Sequence, residues 1–316
     1  MINQLNRMET KKIILVTGAT GAQGGSVAKA LLKKGKFDVR ILTRDDTSPK
    51  AISLQYAGAD LVIGDFEDIP RLRKAMEGVY GVFGVTDYEE HCEKEILHGK
   101  NLIDAVKYSG VQHFVYSASP NYHKISRGEH SVPQCDIKAA LQEYTRSLNI
   151  SASFVHVTYY YENFISLFPL QRDKHNNLHF GFPQGNTKLA MVSVSDVGGV
   201  VAKIFDHPVE YKGRTVGVVG EDRSCAEYAH IMSKVLERNV YYHHIPRDIF
   251  IGFDFPQAEK WADVFEVQRL YITNHQIDLI ESHGLYPAMQ TFEKWLENNK
   301  EKVLSQIPAE EEGVLV

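Results

Sequence analysis

The stretch TGATGAQGG, Thr17–Gly25, follows the apolar run IILV, Ile13–Val16, and precedes a helical pattern. Gly18, Gly21 and Gly24 fall where a strand ends and a helix begins. In that setting the first glycine permits a tight turn and the second lets the backbone approach a pyrophosphate. The third lets helix pack against strand. The helix N-terminus offers unpaired N–H groups and a partial positive charge to phosphate oxygens. Gly18, Ala19, Thr20, Gly21, Ala22, Gln23 and Gly24 are therefore the expected phosphate-binding segment. The spacing is GxxGxxG, one residue longer than the dehydrogenase GxGxxG. A glycine-rich turn with no ligand is the alternative, and the strand before and helix after it favour a dinucleotide.

Outward from the loop, strand and helix signals alternate. Gly24, Val27, Ala28, Leu31 and Leu32 mark one helical face, which Gly35 ends. FDVRILTR (37–44), ADLVIGD (59–65), GVYGVFGVT (78–86), VQHFVYSAS (111–119) and ISASFVHV (150–157) read as further strands. Helices are expected from about Glu93 to Ser109 and from Asp136, the latter with Ile137, Ala140, Leu141, Tyr144 and Leu148 on one face. This alternation specifies an α/β fold, a Rossmann-type doubly wound parallel sheet with a smaller C-terminal α/β lobe. Residues 1–11 read as an N-terminal extension and 12–158 as the nucleotide-binding domain. Residues 159–305 read as the lobe that walls the cleft, with some segments returning to the sheet, and 306–316 as an acidic tail. Ligands bind beyond the carboxyl ends of such strands, so the loops from Thr17, Thr43, Gly64, Thr86, Ser117 and Thr158 matter most.

In the C-terminal part, YYYENFISLFPLQ (159–171) is aromatic and irregular, with Tyr159 expected in the core. SVSDVGGVVAKIF (193–205) reads as a helix capped by Ser195. GRTVGVVG (213–220), a helix near Ala226–Glu237, NVYYHHIP (239–246) and further helices complete the chain.

The chain has 316 residues and a formal charge of −5, with no long Lys/Arg cluster, which argues against direct nucleic-acid binding through a basic face. No apolar run approaches the ~20 residues that cross a membrane, and the start MINQLNRMETKK lacks the features of a signal peptide. Cys92, Cys135 and Cys225 read as sparse reduced thiols, which points to a cytoplasmic protein. His243 and His244 alternate across a strand, a poor metal geometry, and no metal is expected.

The second strand ends LTRDD. Arg44 in the first loop position, with Lys50 shortly after, suits a ribose 2′-phosphate and so NADP(H). Asp45 and Asp46 keep NAD(H) as the alternative. Asp65 either meets the adenine or caps the next helix.

TGATGAQGGSVAKALL, VRILTR, GADLVIGDFED, FVYSAS, YYYENF and MVSVSDVG together resemble the NmrA-like branch of the atypical short-chain dehydrogenases. The resemblance implies NADP(H) binding, with Gly18 to Gly24 as the phosphate loop and Arg44 on the 2′-phosphate. It implies Thr86 and Asp87 near the nicotinamide ribose, Lys138 touching that ribose, and Tyr160, Tyr161, Glu162 and Asn163 folding over the nicotinamide end.

Active short-chain dehydrogenases use Ser, Tyr and Lys, the tyrosine four residues before the lysine on one helix face. Here the segment is VPQCDIKAALQEY, and Gln134 stands four residues before Lys138. No Tyr-x-x-x-Lys occurs among the 16 tyrosines of the chain. A glutamine amide cannot cycle a proton as a general acid or base near neutral pH. Ser117 or Ser119 fits the serine position, and Tyr122 is a minor candidate for the lost acid. Lys138, Ser117, Ser119 and Tyr122 are thus weak catalytic candidates. The expected function is an NADP(H)-binding redox sensor or regulator acting through a protein partner. The alternative is an NADPH-dependent reductase of a quinone or another conjugated carbonyl. A small-molecule substrate and a homodimer stay open.

Overall fold

The computed structural model describes residues 11–87 and 94–308. Cys92, the helix start at Glu93 and the outer parts of the two terminal segments, 1–10 and 309–316, lie outside the described residues. The first six strands are β1 (Ile13–Val16), β2 (Asp38–Thr43), β3 (Asp60–Ile63), β4 (Val79–Gly84), β5 (His113–Ala118) and β6 (Ala152–Val157). The remaining strands are β7 (Tyr159–Tyr160), β8 (Gln171–Arg172), β9 (Leu178–Phe182), β10 (Lys188–Val192), β11 (Thr215–Val218), β12 (Glu221–Ser224) and β13 (Val240–His244). Seven of them form one parallel sheet in the order β3-β2-β1-β4-β5-β6-β11. The order reverses between β1 and β4, which puts the glycine loop at the switch point where such sheets bind ligands.

The sheet forms because its central strands are apolar on both faces. Every residue of β4 and β5 is buried, and only helices on both sides can bury such runs. The helices are α1 (Ala22–Lys34), α2 (Pro49–Tyr56), α3 (Ile69–Ala75), α4 (Glu95–Tyr108), α5 (Tyr122–Ile125), α6 (Pro133–Ser147) and α7 (Val194–Asp206). They continue as α8 (Pro208–Tyr211), α9 (Cys225–Leu236), α10 (Arg247–Phe250), α11 (Ala258–Tyr271), α12 (Gln276–Leu285) and α13 (Phe292–Ser305). Val27, Ala28 and Leu31 of α1 pack with Val197, Val201 and Ile204 of α7 against one face. Leu72 of α3, Leu102 and Val106 of α4 and Leu141 of α6 cover the other.

C-terminal segments therefore return to the sheet: α7 on its face, β11 at its edge beside β6, and α12, whose Leu285 joins the same core and whose Ser282 bonds to Gly217 of β11. The smaller lobe holds the sheets β12-β10-β7 and β13-β9-β8 around an aromatic core that includes Phe164, Phe182, Phe265, Phe292 and Trp295. Its centre is ring on ring: Phe182 and Phe265 stack with centroids 4.5 Å apart.

Local details differ from the sequence reading in three places. The cap of α7 is Ser193, whose hydroxyl accepts from the Ser195 N–H, and not Ser195. α6 begins at Pro133, because proline suits the first helical turn, and not at Asp136. α9 begins at Cys225 through a reciprocal capping box between Ser224 and Glu227.

Candidate functional site

Gly18 closes the turn after β1 with φ +59°, a left-handed conformation that glycine adopts without strain. Gly21 is the N-cap of α1, and no side chain caps that helix. No acidic residue lies in its first turn. Gly18, Gly21 and Ala22 are exposed along the open side of the loop, while Ala19 turns into the core. A Cβ at Gly24 would lie 2.3 Å from the Gly18 carbonyl oxygen and 2.5 Å from that of Thr17, so only glycine lets helix and strand close here. A Cβ at Gly21 would meet only the Gly18 oxygen, at 3.2 Å, and otherwise project into open space. Bare backbone, an uncapped helix end and no competing carboxylate fit a pyrophosphate.

At the end of β2, Arg44 and Lys50 are exposed. Asp45 is turned into its own loop: its Oδ1 accepts from the Thr47 N–H at 2.8 Å and the Thr47 hydroxyl at 2.6 Å. Those bonds hold its carboxyl below the ordinary aspartate range. Asp65 Oδ1 likewise accepts from the N–H groups of Glu67 and Asp68, at 2.7 and 2.8 Å. It shapes the turn into α3, whose N-cap is Asp68.

Thr86 and Lys138 come together beyond β4. The Lys138 ammonium donates to the Thr86 carbonyl at 3.0 Å and to a carboxylate oxygen of Glu95. The Thr86 hydroxyl donates to the same Glu95 oxygen at 2.7 Å and lies 3.3 Å from the buried Tyr116 hydroxyl. Glu95 is fully buried, and its second oxygen has no partner among the described groups. Sequence reasoning missed Glu95. The signal was there: it shares a helix face with Gly99, Leu102 and Val106, and an acid on a buried face needs a cation. Asp87, next to Thr86 in the chain, is exposed.

The serine and tyrosine candidates separate. Ser117 Oγ donates to Gln23 Oε1 at 2.7 Å, and Gln23 Nε2 donates to the Tyr160 hydroxyl at 2.5 Å. Ser119 instead hydrogen-bonds the Cys135 thiol, which burial pushes up to about 12. Tyr122 is buried with its hydroxyl accepting from Gln268 at 2.5 Å, and burial raises its pKa well above the ordinary phenol value. Gln134, on the first turn of α6, keeps a buried side-chain oxygen without a partner.

The YENF turn divides likewise. Tyr161 is fully buried in the core of the smaller lobe, with its ring 5.1 Å from that of Phe292. Glu162 accepts from the Ser193 hydroxyl at 2.8 Å, the Val194 N–H at 2.9 Å and the Trp295 indole at 3.0 Å. Its carboxylate thus sits on the N-terminus of α7, a placement favoured by the helix dipole. Asn163 is buried, and its carbonyl accepts from the N–H groups of Leu167 and Phe168. Of this segment, Tyr160 is the residue that reaches the glycine loop, through its bond from Gln23. Among those residues no cluster of three or more His, Cys, Asp or Glu is arranged to hold a metal ion, and no helix is long and apolar enough to cross a membrane.

The sequence profile of the NmrA-like family matches residues 10–296. The chain belongs to the NmrA-like family. An NmrA-like family domain-containing protein of Dictyostelium discoideum is 32% identical over 244 residues, 74% of this chain and 80% of that protein. An NmrA-like family domain-containing oxidoreductase of Aspergillus hancockii is 29% identical, covering 90% of this chain and 88% of its own length. The crystal structure of NmrA, a negative transcriptional regulator, in complex with NADP superposes with a TM-score of 0.81 at 22% identity, covering 94% of this chain and 98% of that one. This chain thus has the Rossmann-type α/β fold of that structure, and the same regulator has also been solved with NAD.

Proposed function

We propose that this chain binds NADP(H) at the glycine loop and serves as a redox sensor or regulator that signals through a protein partner. One observation carries the reading: an open phosphate cradle stands beside a lysine whose charge is committed to a buried carboxylate, with Gln134 in place of the acid four residues before it. Gly18, Gly21, Ala22 and the first N–H groups of α1 would hold the pyrophosphate. Arg44 would grip the 2′-phosphate, with Lys50 nearby, and Asp45, engaged by Thr47, leaves that role to the arginine. Thr86, Asp87, Lys138 and Tyr160 would border the nicotinamide end, and Asp65 the adenine end.

Bound NADPH would supply a hydride equivalent. The chain's own residues supply little to accompany it: the Gln134 amide does not titrate near neutral pH and so is no general acid, and Tyr122 is buried against Gln268. Binding without turnover suits a sensor. Cys135 and Cys225 are free thiols, consistent with a reducing cytoplasmic setting. The relative named as an oxidoreductase supports a second reading, reduction of a quinone or other conjugated carbonyl, which accepts hydride without a simultaneous enzymic proton. Titration with NADPH followed by a turnover assay on a quinone panel tests both. Tight binding with negligible turnover is expected, and saturable turnover of roughly one per second or faster overturns the sensor reading.

A further inference from the structure

We infer that Gln23 couples the glycine loop to the Tyr160–Phe164 segment, and through it to the smaller lobe. The inference rests on the reading that NADP(H) binds that loop. Gln23 lies in the first turn of α1, inside the expected cradle, yet its side chain is spent on protein groups. Its carbonyl accepts a hydrogen bond from the Ser117 hydroxyl at the end of β5, and its amide donates one to the Tyr160 hydroxyl just beyond β6. One side chain thereby joins the carboxyl ends of three segments that border the sheet's mouth.

Tyr160 hands that link on. It lies on β7 opposite Val192 of β10, one residue before the Ser193 cap of α7. Two residues further on, Glu162 holds Ser193, Val194 and Trp295 together. The next turn of α1 is fastened as well. Ser26 Oγ donates to the Ser195 carbonyl at 2.9 Å and accepts from the Gly198 N–H at 3.0 Å. A Cβ at Gly198 would lie 2.2 Å from the Ser26 carbonyl oxygen. The helix whose N-terminus would face the phosphates is thus fastened to β7 and α7 by its first two turns.

A ligand shifts a conformation only if it binds one state better. Gln23 reaches both Ser117 and Tyr160 when residues 22–24 hold the cradle geometry. An anion that fixes that backbone therefore favours the bridged state, and the bridge favours the anion by the same factor.

Hydrogen exchange on the full chain tests this, with and without NADPH at each protein's own saturating concentration. In the wild type NADPH should slow exchange in 17–27 and in 158–166, the latter by about fivefold or more, the low end of typical coupling between sites. Gln23→Leu and Tyr160→Phe should each keep the slowing at 17–27 and lose it at 158–166, and the double variant should lose no more than either single one. Gln23→Glu, which accepts from both hydroxyls, should restore the slowing at 158–166 even though its charge weakens NADPH binding. Slowing at 158–166 that persists in both single variants, or that is absent from the wild type while 17–27 is slowed, overturns the coupling and leaves cofactor binding intact. No slowing at 17–27 overturns the binding reading and the coupling with it.

Discussion

Lys138 donates hydrogen bonds from its ammonium to the Glu95 carboxylate and, at 3.0 Å, to the Thr86 carbonyl, so this lysine is paired with a fully buried acid. Removing one partner of a buried pair leaves an uncompensated charge, which typically costs about 3–5 kcal/mol. Lys138→Ala should therefore destabilise the fold by that order, because Glu95 stays buried. Lys138→Ala combined with Glu95→Gln should recover much of the loss. Urea denaturation measures both. A single variant as stable as the wild type would mean that the pair does not hold the two helices together.

The glycine loop separates folding from binding. Gly24→Ala should destabilise by about 1–3 kcal/mol, since its Cβ would overlap backbone that cannot move away. Gly21→Val should fold, because its Cβ meets one atom at 3.2 Å, and should lose NADPH affinity because the side chain fills the cradle. Circular dichroism and calorimetry decide. A folded Gly21→Val with wild-type affinity would place the dinucleotide elsewhere.

The buried His113 and the half-buried His156 set the acid limit of stability. Desolvation lowers His113 and His156 from the ordinary value to about 4 each, with Lys212 and Arg146 as lesser cationic neighbours. A nearby Asp278 partly opposes the shift at His156. Their neutral rings bond Ser153 and Gln142 at 2.8 and 2.9 Å. Both pKa values are lower folded than unfolded, so the unfolded chain takes up protons first as pH falls. Their contribution is full above about 6.5 and is lost as pH drops from there towards about 4, by at most ~3 kcal/mol each. Denaturation midpoints between pH 8 and 4 should fall in that window, and His156→Gln should flatten the slope. A flat profile in the wild type contradicts this.

Turnover with simple aldehydes, ketones and alcohols should be near background. General acid catalysis typically contributes 10²–10⁴-fold, and Gln134 stands where the acid would be. NADPH absorbance with a carbonyl panel measures it, and ordinary enzymic rates with a simple ketone would show that another group donates the proton.

The fold was largely legible because its signals are local. The glycine loop, the apolar strands and the αL cap at Gly35 each sit within one short stretch. The site was legible only where one loop makes it. Glu95 finds Lys138 across 43 positions, and Gln23 finds Tyr160 across 137. Such contacts depend on strand order, which periodicity does not specify. The same reason hid which segment returns to the sheet edge, β11, and the use of Glu162 as the anion on α7. Ser193 and Ser195 flank the same helix start, and composition alone does not choose between two equivalent caps.

Calorimetric titration of NADPH and NADH into the wild type and Arg44→Ala tests the central claim most directly. The account predicts at least about tenfold tighter binding of NADPH, the ~1.4 kcal/mol that an arginine–phosphate contact supplies, and loss of most of that preference in Arg44→Ala. Equal affinity for the two cofactors in the wild type, or no binding of either, would contradict it.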